Sequence, residues 1–128
     1  MNFVDGRLVR DGQAYFVSAD GHIRFAVDDR IMQAQSPDSV TAGIRPEHLR
    51  LVSESDPARV SAILDVVEPM GNELILYART DGHELVARVP PAKPPEPGST
   101  IHLGIDSARV HLFDGATGRA IPMNQSLA

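Results

Sequence analysis

Two histidines and two aspartates lie close together in the second half of the sequence and are its first candidates for chemistry. His102 and His111 fall on neighbouring predicted strands, with Asp106 and Asp114 nearby in sequence. Imidazole and carboxylate groups are common zinc ligands. Both histidines, however, fall on the polar side of their strands, and no His-x-x-x-His or paired-carboxylate spacing occurs. The pattern therefore predicts solvated imidazoles and no metal site.

Other catalytic arrangements are not supported either. The chain has no cysteine and no Gly-x-Ser-x-Gly turn to present a nucleophile. The acidic pairs Asp28–Asp29 and Glu54/Asp56 fall in predicted loops, where charges usually face solvent. Residues 113–118 are rich in turn-forming types but lack the alternating oxygen ligands of a calcium loop. We therefore predict that this chain is not an enzyme and holds no metal or cofactor.

The composition is that of one globular domain. The chain has 128 residues, 42% of them hydrophobic, and a net charge of −5. An acidic protein with only two tyrosines and four phenylalanines lacks the basic, aromatic surface that nucleic acids require. Without cysteine, disulfides and thiolate metal sites are excluded. No apolar run is long enough to span a membrane and no secretory signal is evident, so a cytoplasmic location is expected.

Frequent turn signals predict an all-β fold. Half of the ten glycines follow an aspartate, a pair that suits tight type I′ hairpin turns because both positions need a positive φ. The clearest hairpin joins residues 74–79 to residues 84–89 across Thr-Asp-Gly-His. The five Asp-Gly pairs begin at Asp5, Asp11, Asp20, Asp81 and Asp114.

Alternation of apolar and polar residues supports the same conclusion. Residues 58–67, 84–89, 101–106 and 109–112 alternate in this way, whereas residues 74–78 are apolar on both faces and are placed centrally in the sheet. The inward positions predicted from these patterns are Val60, Ala62, Leu64, Val66, Leu85, Ala87, Val89, Ile101, Leu103, Ile105, Val110 and Leu112.

Three segments depart from strand patterning. Residues 46–49 predict one short helical turn, since proline suits the first helical position. Residues 53–57 form a polar break between the front and back halves. Residues 90–98 contain five prolines and should form an extended surface loop. Many short antiparallel strands with frequent turns indicate a small barrel, which has no open edges.

Four motifs occur in the order of one known family. They are Met-Asn-Phe at residues 1–3, Gly-Ile-Arg-Pro-Glu-His-Leu at 43–49, Val-Glu-Pro-Met-Gly-Asn-Glu at 67–73, and Val-His-Leu-Phe-Asp at 110–114 followed by Thr-Gly-Arg. Together they resemble the carboxy-terminal regulatory domain of ATP-binding subunits of bacterial sugar importers of the maltose-importer (MalK) type. That domain is also called the transport-associated OB, or TOBE, domain.

The ATPase part of such a subunit is not recognisable here. The sequence has no Gly-x-x-x-x-Gly-Lys-Ser/Thr loop to hold a triphosphate, and its one lysine, Lys93, lies in the proline-rich segment. The resemblance thus implies a non-catalytic domain whose ATP and Mg²⁺ belong to a separate ATPase domain. It also implies interleaved OB-type halves, a front half over residues 1–52 and a back half over residues 58–121. The first barrel would run from Phe3 to about Arg30 and borrow later strands.

The resemblance also implies partners and contact residues. Partners would be the ATPase domain, a second copy of the chain, membrane permease subunits reached through the ATPase domain, and a cytoplasmic regulatory protein, all at the inner face of the cell membrane. The contact residues it suggests are Phe3, Gly43, Arg45, Glu47, His111, Phe113 and Asp114.

A purely structural interpretation of these residues stays open. Gly43 would relieve crowding, and Arg45 and Glu47 would pair with each other or with Glu68, while Phe3 would anchor the first strand in the core. Other functional classes stay open as well. Related barrels bind small oxyanions such as molybdate, which requires an arginine cluster or a nest of backbone N–H groups. An OB-type nucleic-acid binder is disfavoured by the acidity and the scarcity of aromatic residues.

Overall fold

The computed structural model describes residues 1–27, 39–56, 59–80 and 82–121. These residues form two antiparallel sheets and two short 3-10 helices, Pro46–His48 and Ser107–Arg109. The all-β prediction is therefore confirmed. The strands are β1 (Asn2–Asp11), β2 (Gln13–Ser18), β3 (Arg24–Ala26), β4 (Val40–Ile44), β5 (Leu49–Leu51), β6 (Arg59–Pro69), β7 (Leu74–Arg79), β8 (Glu84–Val89), β9 (Thr100–Ile105), β10 (His111–Asp114) and β11 (Ala120–Ile121).

The first sheet combines strands from both ends of the described chain. Its six strands are ordered β11-β10-β4-β1-β2-β3, so β4 lies between β1 and β10. The register places Phe3 opposite Gly43 and Gly43 opposite His111. Since side chains alternate across a strand, these three residues share the outer face of the sheet.

The second sheet curls into a nearly closed barrel. Its five strands are ordered β5-β9-β6-β7-β8, and the two outer strands, β5 and β8, lie against each other. The predicted hairpin is confirmed, with the bounds Leu74–Arg79 and Glu84–Val89. The Thr80 N–H donates to the His83 carbonyl at 2.8 Å and closes the turn. β7 pairs on both sides as expected, but β6 occupies the middle position.

The alternating patterns predict the core well. The inward positions of β8, β9 and β10 are all buried, as are Val60, Ala62 and Leu64 of β6. Phe16 and Phe25 stack in the core of the first sheet with ring centroids 5.0 Å apart. Burial of these side chains is the main source of stability, at about 25 cal/mol for each Å² of apolar surface removed from water.

The prediction for Val66 is wrong. Its side chain is 52% exposed, whereas Val67 packs against the core. The register between β6 and β7 shifts between Leu64 and Val66. A bulge of this kind inserts one residue into the strand, so the sides to which later side chains point are exchanged.

The Asp-Gly pairs serve different purposes. Gly12 and Gly21 have φ values of 79° and 78° and lie in turns, as predicted. Asp5 and Gly6 instead lie within β1. No residue other than glycine has a positive φ in the described ranges, so a type I′ turn with aspartate at a positive φ does not occur there. Asp81 lies outside the described residues.

The helical turn at residues 46–49 is found as a 3-10 helix over Pro46–His48, and Leu49 already starts β5. This prediction is confirmed, and a second 3-10 helix, Ser107–Arg109, was not predicted. The Asp106 carboxylate caps this helix by accepting from the Ala108 N–H at 3.2 Å. Residues 90–98 form the predicted exposed loop between β8 and β9.

Two polar side chains join the sheets. The Asn2 amide nitrogen donates to the Val86 carbonyl at 2.8 Å, and its oxygen accepts from the Val86 N–H at 2.8 Å. Asn2 thereby binds β8 as a backbone strand would.

Among the described residues, no helix is long and apolar enough to cross a membrane.

The Asp20 carboxylate connects the β2–β3 turn to the β7–β8 hairpin. It accepts from the Ser18 hydroxyl at 2.5 Å and the His22 N–H at 3.0 Å, and from the Gly82 N–H at 3.1 Å on the other sheet. Burial alone would raise the pKa of Asp20. These donors, together with nearby His83, instead lower the pKa to about 2.

Candidate functional site

Four of the residues suggested by the family resemblance meet on one outer surface. Phe3, Gly43 and His111 are register neighbours across β1, β4 and β10, and Phe113 lies two residues after His111 on the same face of β10. The Phe3 and Phe113 rings lie 6.3 Å apart between centroids, tilted by 58°. The structure therefore brings these four residues together.

Exposed Phe3 and Met1 and half-buried Phe113 form a cluster over Gly43, which we call the apolar patch. Phe3 is 61% exposed, so the alternative that it anchors β1 in the core is wrong; Val4 has that role. A Cβ at Gly43 would lie 2.5 Å from Met1 Sδ and 3.1 Å from Phe113 Cε2. Gly43 thus lets these side chains cover the sheet, in agreement with the purely structural interpretation of this glycine.

Arg45 immediately precedes the 3-10 helix that follows β4, Glu47 lies on that helix, and both are exposed. The expected ion pairs are not formed, since neither residue pairs with the other or with Glu68 within the described part of the chain. Glu68 instead accepts from the Tyr77 hydroxyl at 3.0 Å. The pKa of Glu47 is lowered by its own backbone N–H and, more weakly, by the charges of His48, Arg88 and Arg45.

Asp114 has a local structural role. Its carboxylate accepts from the Ala116 N–H at 2.8 Å and the Thr117 N–H at 3.4 Å. This pattern is a side-chain-capped turn, which short acidic residues commonly form. The Asp114 carboxylate therefore stabilises the turn that follows β10.

The two histidines considered for a metal site are not brought together. We predicted neighbouring strands, but His102 lies on β9 of the second sheet and His111 on β10 of the first. The Nδ1 atom of His102 lies 2.9 Å from the hydroxyl of Ser61 on the neighbouring strand β6. Within residues 1–27, 39–56, 59–80 and 82–121, no three potential metal ligands cluster. Asp28 and Asp29 lie outside the described residues.

A cleft of about 440 Å³, which we call the β10 cleft, opens beside His111. Its apolar floor includes Val110, Leu112 and Ile121, and its polar groups are His48, Arg109 and His111. Arg109 Nη1 lies 3.4 Å from His48 Nε2. Our sequence reasoning missed His48 and Arg109, because each lies on a short helix with no periodic signal and they are 61 residues apart.

A second cleft, which we call the β3 cleft, has a volume of about 490 Å³. Tyr15, His22, Arg24 and Arg59 line it. The Arg24 guanidinium lies 4.2 Å from the centre of the Tyr15 ring and 3.3 Å from an Asp11 carboxylate oxygen. The ring and the carboxylate together hold Arg24 in position.

Two family models match this chain. Residues 42–113, more than half of the chain, match the TOBE domain, and residues 1–49 match the MalK OB fold domain. The TOBE match runs from β4 to β10, and the MalK OB fold match runs from β1 through β4 and the Pro46–His48 helix.

The curated relatives are ATP-binding proteins of import or transport systems. The chain is 31% identical over 121 residues to the sn-glycerol-3-phosphate import ATP-binding protein UgpC of Escherichia coli (strain K12), covering 94% of this chain and 33% of that protein. It is 37% identical over 82 residues to the sulfoquinovosyl glycerol transport ATP-binding protein SmoE of Agrobacterium fabrum, covering 64% of this chain and 23% of that protein. The chain therefore spans a third or less of their length.

A solved structure shares the fold. The cytoplasmic molybdate-binding protein ModG superposes with a TM-score of 0.67, covering 87% of this chain and 94% of that one, at 14% sequence identity. At that identity the likeness concerns the fold alone. The family matches and the relatives agree with the resemblance found in the sequence, and we conclude that this chain belongs to the TOBE domain family, in its MalK-type form.

Proposed function

We propose that this chain is the regulatory and dimer-supporting domain of the ATP-binding subunit of a bacterial importer for sugars or related solutes. The proposal is supported by the similarity to UgpC and SmoE, whose names state glycerol-3-phosphate import and sulfoquinovosyl glycerol transport. ATP and Mg²⁺ would bind a separate ATPase domain, so this domain would have no catalytic activity and no cofactor. Its place would be the cytoplasmic side of the membrane, next to the permease subunits.

The role of such a domain is mechanical. Two copies would touch across a two-fold axis and keep their ATPase domains together while these close on ATP and open after hydrolysis. A cytoplasmic regulatory protein would act by binding one of these two states better than the other, because a partner with equal affinity for both shifts nothing.

The observation that carries the proposal is the surface around the apolar patch. Phe3 is 61% exposed, and Arg45 and Glu47, which follow β4, are exposed and without ion pairs in the described ranges. Exposed aromatic and arginine side chains are both enriched at protein interfaces. Arginine on a rigid turn also suits bidentate pairing with a carboxylate of another domain.

The direct test is to read the gene around the codon for Met1. We expect an in-frame ATPase domain with a phosphate-binding loop, and neighbouring genes for permease subunits. A stop codon immediately before a genuine start at Met1 would overturn the proposal, since the chain would then be a free-standing barrel.

Self-association tests the dimer-supporting part. We expect only weak association of the 128-residue chain in analytical ultracentrifugation, because the ATPase domains would supply much of the contact. In the full-length product, Phe3→Ser should lower the ATPase activity or its response to a regulator. Val66→Ser is a matched control, because Val66 is similarly exposed but lies on the second sheet. Equal effects of the two variants would argue against the patch.

An oxyanion-binding module is a second candidate, favoured by the β3 cleft. Arg24 and Arg59 both line it, together with His22. Two guanidinium groups are suited to an oxyanion such as molybdate. Calorimetric titration with molybdate, tungstate and sulfate tests this candidate. Heat that is lost in Arg59→Gln would support it, and the absence of heat with all three ions would remove it.

A further inference from the structure

The β3 cleft lies between the two sheets. Tyr15 on β2 and Arg24 on β3 line it from the first sheet, whereas Arg59 on β6 and Ile105 on β9 line it from the second. His22, in the turn between β2 and β3, also faces the cleft. A ligand held there would therefore contact both sheets at once.

The two arginines of the cleft are positioned and keep donors for a ligand. Arg24 Nη2 lies 3.3 Å from an Asp11 carboxylate oxygen, and the Asp11 side chain is 77% exposed, so solvent screens its charge. Arg59 Nη1 donates to the Asp56 carbonyl at 3.2 Å. A guanidinium has five N–H donors and each of these contacts uses one of them. Both groups can therefore donate to an anion in the cleft as well.

The cleft is larger than an inorganic oxyanion requires. Its volume is about 490 Å³. A tetrahedral oxyanion displaces roughly two or three water molecules, each with about 30 Å³ of liquid volume. The rest of the lining combines the carbon atoms of Phe25, Ala26 and Ile105 with the hydroxyl groups of Tyr15 and Ser107. Such a lining suits a ligand that has an anionic end and a carbon skeleton carrying hydroxyl groups.

We propose that the β3 cleft binds a phosphate monoester of a sugar or polyol. The phosphate would accept from Arg24 and Arg59, because planar guanidinium groups match phosphate oxygens and two of them balance a dianion. The carbon skeleton would lie against Phe25 and Ile105. This inference goes beyond the regulatory function and does not depend on it. It uses the cleft of the oxyanion candidate and names an organic ligand for that cleft.

Calorimetric titration of the 128-residue chain with glucose 6-phosphate tests the inference. Three further probes represent parts of this ligand: orthophosphate has the anion alone, glucose the skeleton alone, and glucuronate the skeleton with a carboxylate. We expect glucose 6-phosphate to bind, and each of the other three to bind at least about tenfold more weakly. Because the ester would bind the folded chain, the melting temperature should also rise with its concentration.

Substitutions place the binding in the cleft. Arg24→Gln and Arg59→Gln should each weaken the binding of glucose 6-phosphate about tenfold, as expected for loss of a charge-assisted hydrogen bond. Arg59→Lys should recover part of the affinity, because it keeps the charge but not the planar fork.

Arg88→Gln is the matched control. Arg88 is also an exposed arginine paired with a carboxylate, that of Glu73, but it lies on β8 and does not line the cleft. Its variant should bind the ester as the wild type does. Thermal melting without ligand should show that all the variants are folded.

Four outcomes would overturn the inference. They are no binding of either glucose 6-phosphate or ribose 5-phosphate, equal binding of the ester and orthophosphate, equal binding of the ester and glucuronate, and equal weakening in Arg88→Gln and Arg59→Gln. Equal binding of orthophosphate would leave the oxyanion candidate in place with an inorganic ion as its ligand. None of these outcomes touches the gene organisation, so a failure here is distinguishable from a failure of the proposed function.

Discussion

The outer faces of the two sheets differ in how their polar groups are satisfied. On the second sheet, Arg79 pairs with Asp65 at 3.0 Å, and Arg88 meets both Glu73 oxygens at 3.0 to 3.2 Å. On the first sheet, Asp5 accepts from the Thr41 hydroxyl at 2.8 Å, and Arg24 pairs with Asp11 at 3.3 Å. Arg45 and Glu47, which follow β4, have no ion pair within the described residues, so their charges are left for a partner.

Exposed apolar residues on the two faces also have different causes. Val66 on the second sheet is exposed because a bulge exchanges the faces to which the side chains of β6 point. Phe3 follows the regular alternation of β1, so no local irregularity explains its position on the surface. A large exposed side chain without a local cause is the stronger indication of an interaction site.

The largest expected effect separates two phenylalanines on opposite faces of the first sheet. Phe16→Ala should lower the free energy of unfolding by about 3–5 kcal/mol, because the ring is fully buried. Phe3→Ala should cost less than about 1 kcal/mol, since the ring is mostly exposed. Urea denaturation of both variants gives the two values. Equal losses would mean that Phe3 is a structural anchor, and the comparison of faces would fail.

Asp20→Asn tests the joint between the two regions. The amide would place a donor against the Gly82 N–H or the Ser18 hydroxyl, so one of these hydrogen bonds would be lost. The lowered pKa of Asp20 corresponds to about 2 kcal/mol of stability at neutral pH. Since the folded-state pKa of about 2 is below the ordinary aspartate value of 3.8, this contribution is present above about pH 4 and is lost as the pH falls through 2.

Thermal melting of wild type and Asp20→Asn over that pH range measures the effect. The difference between the two proteins should shrink as the pH falls towards 2. A difference independent of pH would show that the Asp20 charge does not hold the sheets together.

The smallest expected effect compares two arginines. Arg88→Gln should lower the melting temperature slightly, and the loss should fade in high salt, because the Glu73 pair is only partly buried. Arg45→Gln should leave the melting temperature unchanged at any salt concentration. If Arg45→Gln destabilised the chain as much as Arg88→Gln, Arg45 would have an internal partner and the contrast between the faces would be weaker.

Sequence patterns predicted those parts of the fold that depend on residues close together in the chain, such as strands and hairpins. The β7–β8 hairpin was predicted to the residue, because alternation and a four-residue turn both depend on near neighbours. The Asp65–Val66 bulge was missed because period-2 patterning assumes an uninterrupted strand. The sequence also suggested that β9 and β10 are neighbours, whereas Asp106 starts a short helix that takes the chain from one sheet to the other.

Long-range polar contacts were beyond sequence reasoning. Asn2 binds Val86 and Asp20 binds Gly82, across 84 and 62 residues, and nothing near either side chain marks its partner. At the candidate site, the family motifs directed attention to Phe3, Gly43, His111 and Phe113, which do share a surface. His48 and Arg109 needed the structure, because their proximity depends on how two short helices are placed.

The position of β4 between β1 and β10 has a consequence for how the protein is made. The second sheet uses only residues from β5 to β9, whereas the first cannot be completed until β10 has been synthesised. During translation β4 therefore keeps an unpaired edge, which is open to pairing with other chains. Contacts so distant in sequence also slow folding. We expect the second sheet to form while the chain is still on the ribosome and the first to close last, so newly made chains should depend on chaperones mainly through their amino-terminal strands.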